Sequence, residues 1–211
     1  MAGVVLAAGA GSRYGKPKAL VDNGSGPWVV RALKAVRGCE PRVVVIGAAA
    51  DQVAELLPAG VLTARNADHA TGMGSSLRVG LQAILGREAV DAAVIMLVDL
   101  PGVGPDVGDR VCRAAGAPAV ARGAIVRASF AGVPGHPVLV GREHWPGVIA
   151  VAVGDRGARD YLSAHPAVLV ECGDIGSGVD VDTPEQDRPL GRSDYDANAP
   201  RVSAPDVPPS R

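Results

Sequence analysis

Three short apolar runs constrain the fold of this chain more than any other feature of its sequence. The runs GVVLAA (3–8), RVVVIGA (42–48) and AAVIMLVD (92–99) are rich in valine and do not alternate with polar residues. A strand with one face in water shows such alternation, whereas a strand buried on both faces does not. The three runs therefore predict parallel strands inside a sheet that is covered on both sides.

Helical periodicity fills the segments that follow these runs. Residues 26–38, 50–58 and 75–87 place apolar side chains at i, i+3, i+4 and i+7, which is the spacing of an amphipathic helix. The repeated order of strand, loop and helix predicts a three-layer α/β/α fold with an open, mostly parallel sheet. Ligands of such folds bind outside the carboxyl ends of the strands. Farther along the chain, VIAVAV (148–153) has strand propensity.

Chain length and composition favour one domain followed by a tail. The chain has 211 residues, of which 47% are hydrophobic, enough for one substantial core but not for two. We expect this domain to span residues 1–190. The final stretch, NAPRVSAPDVPPSR (198–211), contains Pro and Ser and has no apolar stripe to pack against the core. It predicts a disordered tail over residues 191–211.

The charge balance argues against a polyanionic partner. Lys and Arg number 21 against 22 Asp and Glu, a net charge of -1, so we expect neither nucleic acid nor an anionic membrane as a partner. Any anion must be bound by a local site. Cys39, Cys112 and Cys172 are odd in number and lack metal-ligand spacing, and no stretch has the length of a signal peptide or a membrane span. These features predict a reduced, cytoplasmic protein.

The stretch LAAGAGSRYGKPKAL (6–20) joins the first predicted strand to glycines and three basic residues. A glycine-rich turn after a strand presents backbone N–H groups that can bind phosphate. The stretch departs from a dinucleotide-binding fingerprint at Tyr14, where a small residue is needed, and from a Walker A loop at Pro17, where Ser or Thr is needed. The alternative interpretation is a tight turn at Gly9 and Gly11 surrounded by solvated charges.

Carboxylates lie at two positions suited to a metal ion. Asp99 ends the third apolar run just before Pro101, which places it at the carboxyl edge of the sheet; the alternative is an aspartate that caps a turn. In DVDTPEQ (180–186), Asp180 and Asp182 share one face of an extended segment. Since Mg²⁺ takes one or two carboxylates and completes its shell with phosphate oxygens and water, Asp99 with one of this pair forms a candidate site.

The glycine-rich stretch resembles the first motif of the MobA-like nucleotidyltransferases, roughly L-A-[AG]-G-x-[GS]-x-R-M-G-x-x-K. The chain matches this motif at Leu6, Ala7, Ala8, Gly9, Gly11, Arg13, Gly15 and Lys18. Tyr14 replaces the usual Met. The resemblance implies a Rossmann-like nucleotide-diphospho-sugar transferase fold in which residues 6–9, Gly11, Arg13 and Lys18 bind the nucleotide. It also implies catalytic roles for Arg13, Lys18 and Asp99.

Further stretches extend the resemblance over about residues 3–187 and are similar to the molybdenum-cofactor cytidylyltransferase branch of that family. They are RNADHATGMGSSLRVGL (65–81), MLVDLPGV (96–103), GVPGHPVLVGREHW (132–145), VGDRGARDYL (153–162) and DVDTPEQ (180–186). In the first of them, His69 stands where an aromatic residue is more usual. The resemblance implies nucleotide contacts from Asn66, Gly72, Ser75 and Ser76. The two serines are equally suited to capping the helix that follows.

The same resemblance assigns metal and acceptor contacts. It implies that Asp99 binds Mg²⁺. We expect the second ligand to be Asp182, because Asp182 lies nearer the following turn, and Asp180 remains an alternative. It implies acceptor contacts from His136 and Asp155. His136 lies between Gly and Pro, which predicts a loop, and Asp155 also has the pattern of a turn and helix N-cap.

These motifs predict a Mg²⁺-dependent nucleotidyltransferase that transfers a nucleoside monophosphate from an NTP to a small phosphorylated acceptor and releases pyrophosphate. The resemblance implies CTP and molybdopterin, hence a step of molybdenum cofactor biosynthesis, and the methyl group of Ala8 narrows the space for a purine. Alternatives are a guanylyltransferase, a transferase for another phosphorylated metabolite, and a non-catalytic nucleotide-binding or cofactor-binding protein. Tyr14 disfavours an oxidoreductase with a dinucleotide fold. The sequence identifies no molybdoenzyme or chaperone partner.

Overall fold

Seven strands form one sheet in the computed structural model, which describes residues 1–187. The strands are β1 (Ala2–Ala7), β2 (Arg42–Ile46), β3 (Leu62–Arg65), β4 (Ala92–Leu97), β5 (Ile125–Phe130), β6 (Val133–Gly141) and β7 (Val168–Glu171). Their order across the sheet is β3-β2-β1-β4-β6-β5-β7. Neighbouring strands are parallel except where β6 runs antiparallel to β4 and β5. The predicted open, mostly parallel sheet is therefore confirmed.

Helices cover both faces of this sheet. Within the described residues the α-helices are α1 (Trp28–Ala35), α2 (Ala50–Glu55), α3 (Met73–Leu85), α4 (Pro105–Ala114), α5 (Pro118–Ala121), α6 (Trp145–Val151) and α7 (Arg159–Ala164). The three apolar runs correspond to β1, β2 and β4, and the three predicted helices correspond to α1, α2 and α3. The expected α/β/α arrangement is therefore present.

The core lies in two layers, one on each face of the sheet. Val5 of β1 belongs to a buried cluster with Val29 of α1 and other residues on that face. Its neighbour Val4 points the other way and belongs to a second cluster with Leu81 of α3. Because successive side chains of a strand point to opposite faces, a strand covered on both sides must be apolar throughout. This burial explains the uninterrupted runs in the sequence.

The strand propensity of residues 148–153 does not produce a strand. Trp145 and Val148 are fully buried on one side of helix α6 and pack in the same cluster as α3. The indole Nε1–H of Trp145 donates to the backbone oxygen of Val140 at 2.9 Å, which anchors the start of the helix on β6. Burial of the side chains at i and i+3 thus outweighs the intrinsic preference of valine for β-strands.

The predicted loop at His136 is also wrong, because His136 lies within strand β6. Strand β6 pairs with β4 only from Val138 onward, so its first half has a strand neighbour on one side alone. Pro134 and Pro137 lie in that first half. Proline is tolerated in a strand where no ladder hydrogen bond is required of its nitrogen.

Residues 188–211 lie outside the described part of the chain, and with them the predicted tail at 191–211. No helix within residues 1–187 is both long enough and apolar enough to cross a bilayer. Cys39, Cys112 and Cys172 all carry free thiols.

Candidate active site

A cavity of about 430 Å³ opens at the carboxyl ends of β1 and β4. Its walls come from the glycine-rich stretch, the start of α3, the turn after β4 and the segment near residue 182. The lining residues include Leu6, Ala8, Gly9, Gly11, Arg13, Lys18, His69, Gly72, Met73, Ser76, Asp99, Asp155 and Asp182. This location is the one expected for ligands of a parallel α/β sheet.

The glycine-rich stretch forms turns rather than running directly into a helix. The backbone oxygen of Gly11 accepts hydrogen bonds from the amides of Tyr14 and Gly15, at 2.9 and 2.8 Å. Gly11 has a φ of +63°, and a Cβ here would collide with the backbone oxygen of Lys16. The first α-helix begins only at Trp28, so the stretch supplies no helix N-terminus of its own.

Gly9 differs from Gly11 in its surroundings. A Cβ built on Gly9 would meet no atom within 4 Å, and Gly9 lines the cavity. The turn therefore needs a glycine at position 11, while position 9 borders open space. Both glycines line the cavity, but only Gly11 is required by the turn.

Tyr14, which replaces the usual Met, ties the glycine-rich stretch to the end of the described chain. Its ring packs edge-on against Trp28 at a centroid distance of 5.4 Å and belongs to a buried cluster with Val181. Its hydroxyl donates to Asp187 Oδ2 at 2.8 Å. Burial, with a smaller contribution from this hydrogen bond, raises the pKa of Tyr14 to about 12. Tyr14 thereby holds the segment that carries Asp182 next to the stretch.

A cluster of opposite charges occupies one end of the cavity. The ammonium group of Lys18 lies 2.6 Å from Asp182 Oδ1 and 3.2 Å from Asp99 Oδ2. Arg13 Nη1 lies 2.6 Å from the other oxygen of Asp182. The hydrogen bond from Lys18, supported by the charge of Arg13, holds the pKa of Asp182 below its ordinary value. The lowered pKa favours the ionised form of Asp182, which is the form that binds a metal ion.

Asp99 and Asp182 meet because the backbone of Asp99 pairs with that of Val181, the residue before Asp182. Asp99 follows β4 by two residues, and its backbone oxygen accepts the amide of Val181 at 2.9 Å. Val181 is buried, so the residues on either side of it face away from the core. Asp180 is exposed and makes no recorded contact with the charge cluster, whereas Asp182 joins it.

The two carboxylates fit a divalent metal ion. The Oδ1 atom of Asp99 is buried and has no hydrogen-bond partner among the described residues. No third His, Cys, Asp or Glu joins a metal-binding group within residues 1–187. With nucleotides, Mg²⁺ typically binds one or two carboxylates and fills its other coordination positions with phosphate oxygens and water. The Asp99 carboxylate accepts a hydrogen bond from Lys18. A turn-capping aspartate would instead accept one from a backbone amide of the turn.

The predicted nucleotide contacts in residues 65–81 separate into two groups. Gly72 and Ser76 line the cavity, whereas Asn66 and Ser75 lie behind its wall. The amide of Asn66 donates to the hydroxyls of Ser75 and Ser76 at 2.8 and 3.0 Å. Ala7 likewise is buried in the core and does not line the cavity. Asn66 and Ser75 shape the wall, and Gly72 and Ser76 face the space.

The capping predictions in this region are wrong. Helix α3 begins at Met73, so Ser75 and Ser76 lie inside its first turn rather than before it. The Ser75 hydroxyl instead donates to the backbone oxygen of Gly72 at 2.8 Å. Asp155 lies in a short 3-10 turn, Gly154–Arg156, and does not cap α7. The start of α3 borders the cavity, and the positive end of its helix dipole favours an anion there.

A second cavity of about 440 Å³ adjoins the first. The two share Leu6, Met73 and Asp155. His136 lines only the second cavity, so the two predicted acceptor residues, His136 and Asp155, border the same space. Burial, with a smaller effect from Arg127, lowers the pKa of His136 to about 4. His136 is therefore a neutral imidazole near pH 7.

Arg127 is the residue of this region that the sequence analysis missed. It lines the second cavity from strand β5, which the sequence patterns did not predict. The sequence feature that could have identified Arg127 is its charge within IVRASF (125–130), whose other residues are apolar or small. A charged residue in a strand that is buried on both sides requires a specific environment.

Comparison with known sequences identifies two relationships. A family model described as MobA-like NTP transferase domain matches residues 3–168. The chain is also 34% identical over 199 residues to nicotine blue oxidoreductase of Paenarthrobacter nicotinovorans, an alignment that covers 87% of this chain and 93% of that protein.

Solved structures share the fold. The homolog of Mycobacterium tuberculosis Rv0371c from Mycobacterium sp. strain JC1 has a TM-score of 0.70 and 27% identity, covering 88% of this chain and 91% of that chain. Rv0371c of Mycobacterium tuberculosis H37Rv, solved in complex with manganese, has a TM-score of 0.64 and 24% identity, with 93% and 95% covered. Both likenesses agree with the sheet described above.

Proposed function

This chain belongs to the MobA-like NTP transferase family, a family of nucleotidyltransferases, and we propose that it is a cytidylyltransferase acting on molybdopterin. In this reaction an oxygen of the acceptor phosphate forms a bond to the α-phosphorus of CTP. The bond from that phosphorus to the bridging oxygen breaks, and pyrophosphate leaves. The observation that carries the proposal is the Lys18 ammonium between Asp99 and Asp182, at one end of a cavity large enough for a nucleotide.

The cationic residues and backbone amides of the first cavity stabilise the triphosphate. Arg13 and Lys18 supply two positive charges beside the glycine-rich stretch. The start of α3 at Met73 adds N–H groups and the positive end of the helix dipole. Because negative charge on the departing pyrophosphate increases toward the transition state, these groups lower the barrier as well as bind substrate.

Asp99 and Asp182 are the proposed ligands of Mg²⁺. When bound, the ion neutralises the α-phosphate and orients it for attack. Proteins of this family typically depend on a divalent metal, and one structural neighbour was solved with manganese. The choice of Mg²⁺ is supported by the two-carboxylate donor set, which leaves coordination positions for phosphate oxygens.

Ala8 supports CTP as the donor. Its side chain lines the cavity and is 2% exposed. A Cβ added at Gly47 would lie 2.7 Å from the Cβ of His69 and 2.9 Å from that of Ala8, so these three residues pack closely at one wall. A methyl group and an imidazole on a closely packed wall favour a pyrimidine over the larger purine. One methyl group corresponds to a preference on the order of tenfold to a hundredfold.

The second cavity is the proposed acceptor site. It opens into the nucleotide cavity at Leu6, Met73 and Asp155, so an acceptor bound there lies next to the donor. His136 in its neutral form can donate or accept one hydrogen bond to this acceptor. The space of about 440 Å³ is suited to a small organic molecule.

The experiment is pyrophosphate release from four NTPs, each offered with molybdopterin and with simple phosphorylated acceptors in the presence of Mg²⁺. We expect turnover with CTP to exceed turnover with GTP. Asp99→Asn keeps the size of the side chain and removes its charge, so turnover should fall by about a hundredfold or more, a few kcal/mol of transition-state stabilisation.

Asp106→Asn is the matched control for that substitution. Asp106 lies on α4, its side chain is 76% exposed, and it lines neither cavity. Its turnover should equal that of the wild type, and circular dichroism should show the same fold for all three proteins. Activity of Asp99→Asn within a few-fold of wild type would remove Asp99 from the metal site. Faster turnover of GTP would overturn the assignment of CTP.

A redox function is the second candidate, favoured by the relative named nicotine blue oxidoreductase. In that case the first cavity would hold a reduced nicotinamide nucleotide, which transfers hydride to an organic acceptor in the second cavity. Tyr14 departs from the dinucleotide fingerprint and counts against this candidate. The test is oxidation of NADH or NADPH with nicotine blue as acceptor. Oxidation without pyrophosphate release from any NTP would replace the transferase proposal by the redox one.

A further inference from the structure

We propose that Arg127 is the anion-binding residue of the second cavity and selects acceptors that combine a phosphate with an apolar ring body. This inference rests on the proposed function only in naming the second cavity as the acceptor site. Arg127 is half-buried on β5 and lines that cavity. It lies opposite Val138 in the β5–β6 ladder, and His136 precedes Val138 by two residues on the same strand face.

No carboxylate of residues 1–187 forms an ion pair with Arg127, although nine other ion pairs are present among them. Asp155 lines the same cavity but lies outside ion-pair distance of Arg127. Its Nε atom is buried and has no hydrogen-bond partner among the described residues. Burial lowers the pKa of Arg127 from its usual value. A half-buried guanidinium without a partner costs stability unless a ligand supplies the anion.

The remaining walls indicate the rest of the ligand. The cavity is lined on several sides by aliphatic side chains: Leu6, Leu77, Ile95, Val138, Val140 and Val148. Arg159 borders the same space, whereas Arg156, also at the cavity, is paired with Asp160 at 2.6 Å. His136 is neutral and adds no positive charge at pH 7. The expected ligand therefore has an apolar body that packs against the aliphatic wall. It also has a phosphate that accepts two parallel hydrogen bonds from the guanidinium of Arg127.

The experiment titrates the protein with phenyl phosphate and, separately, with phenol, while α,β-methylene-CTP saturates the nucleotide cavity. Binding is followed by the NMR signals of the His136 ring, which report on the second cavity and do not depend on turnover. Wild type should bind phenyl phosphate at least about tenfold more tightly than phenol. Arg127→Met should lose that preference, and Arg127→Lys, which keeps a charge without the planar fork, should retain part of it.

Arg42→Met is the matched control. Arg42 is also half-buried, begins strand β2 at the opposite end of the sheet, and has a buried Nε without a partner, but it lines neither cavity. Its affinity for phenyl phosphate should equal that of the wild type. Arg127→Met should melt no lower than wild type, because the substitution removes an unpaired buried charge.

Several outcomes would overturn the proposal. One is an affinity of Arg127→Met for phenyl phosphate within about twofold of wild type, and another is wild-type binding of phenol as tight as that of phenyl phosphate. If Arg127→Met melts well below wild type and still binds phenyl phosphate about tenfold more tightly than phenol, Arg127 is a structural residue. Loss of nucleotidyl transfer without loss of phenyl phosphate selectivity would count against the proposed function and leave this inference intact.

Discussion

At the scale of single residues, Lys18 is the cation that joins the two carboxylates of the site. Its ammonium group bridges Asp99 and Asp182, the two carboxylates proposed to hold the metal. A lysine cation and a divalent cation cannot occupy the same space between two carboxylates. A metal ion bound between these two carboxylates would therefore displace Lys18, and we expect the freed ammonium group to contact the phosphates of the nucleotide.

The first prediction tests this competition. Lys18→Met should bind Mn²⁺ more tightly than wild type in the absence of nucleotide, by about tenfold, because the internal cation is gone. The same variant should show a higher KM for the NTP and a lower kcat. Mn²⁺ affinity is measured by electron paramagnetic resonance titration. Lys16→Met, an exposed lysine of the same stretch, is the control, and equal Mn²⁺ affinities in all three proteins would exclude the competition.

The second prediction concerns the protonation of His136. The unfolded chain protonates this residue near its ordinary pKa of 6.5, whereas the folded protein does so only near 4. Between these values the unfolded state binds more protons, so the contribution of His136 to stability is lost as the pH falls from about 6.5 toward 4. An NMR titration of the His136 ring should show a midpoint near 4. In Arg127→Met the midpoint should rise, and a wild-type midpoint near 6.5 would contradict the buried position.

At the scale of elements, the glycine-rich stretch joins β1 to the rest of the site through turns. Its path depends on Gly11, and its packing depends on Tyr14, which contacts Trp28 and bonds to Asp187. The stretch resembles a family motif as a string of letters. In the structure both glycines of the stretch line the cavity, but only Gly11 is required by the shape of the turn.

The third prediction tests this difference between the two glycines. Gly11→Ala should lower the free energy of unfolding by roughly 1–3 kcal/mol or more, because a left-handed φ and a clash with the Lys16 backbone oppose any side chain. Gly9→Ala should leave the melting temperature unchanged and raise the KM for the NTP, because its methyl group enters the cavity. Thermal melts and steady-state kinetics on both variants provide the measurement. Equal stability losses would show that both glycines are structural.

Strand β6 illustrates an element that the local sequence does not reveal. Two prolines around His136 favour a loop when they are considered alone. The strand forms because Val138, Leu139 and Val140 pair with both β4 and β5, and the proline-bearing half continues along β5. That continuation brings His136 beside Arg127 and creates the second cavity.

At the scale of the whole molecule, residues 1–187 contain a buried cluster on each face of the sheet and the two adjoining cavities. The family model ends at residue 168, so the segment that brings Asp182 to the site lies beyond it.

The fourth prediction concerns truncation of the C-terminal residues. Removal of residues 198–211 should change neither the melting temperature nor the turnover number, because the core and the proposed metal ligands remain. Removal of residues 180–211, in contrast, should abolish turnover and lower the melting temperature, since Val181 and Asp182 are lost. Differential scanning calorimetry and the pyrophosphate assay measure both effects. A drop of several degrees for the shorter truncation would show that the final residues contribute to folding.

Local sequence patterns are sufficient to predict strands β1, β2 and β4, the helices between them, and the position of Asp99 at the end of a buried strand. These features are local, because hydrophobic periodicity and glycine placement report on a few neighbouring residues. The contact of Lys18 with Asp182 rather than Asp180, and the position of Arg127 in the same cavity as His136, depend on how distant segments pack. Such pairings join residues far apart in the chain, and burial, charge and strand register select them once the sheet has formed.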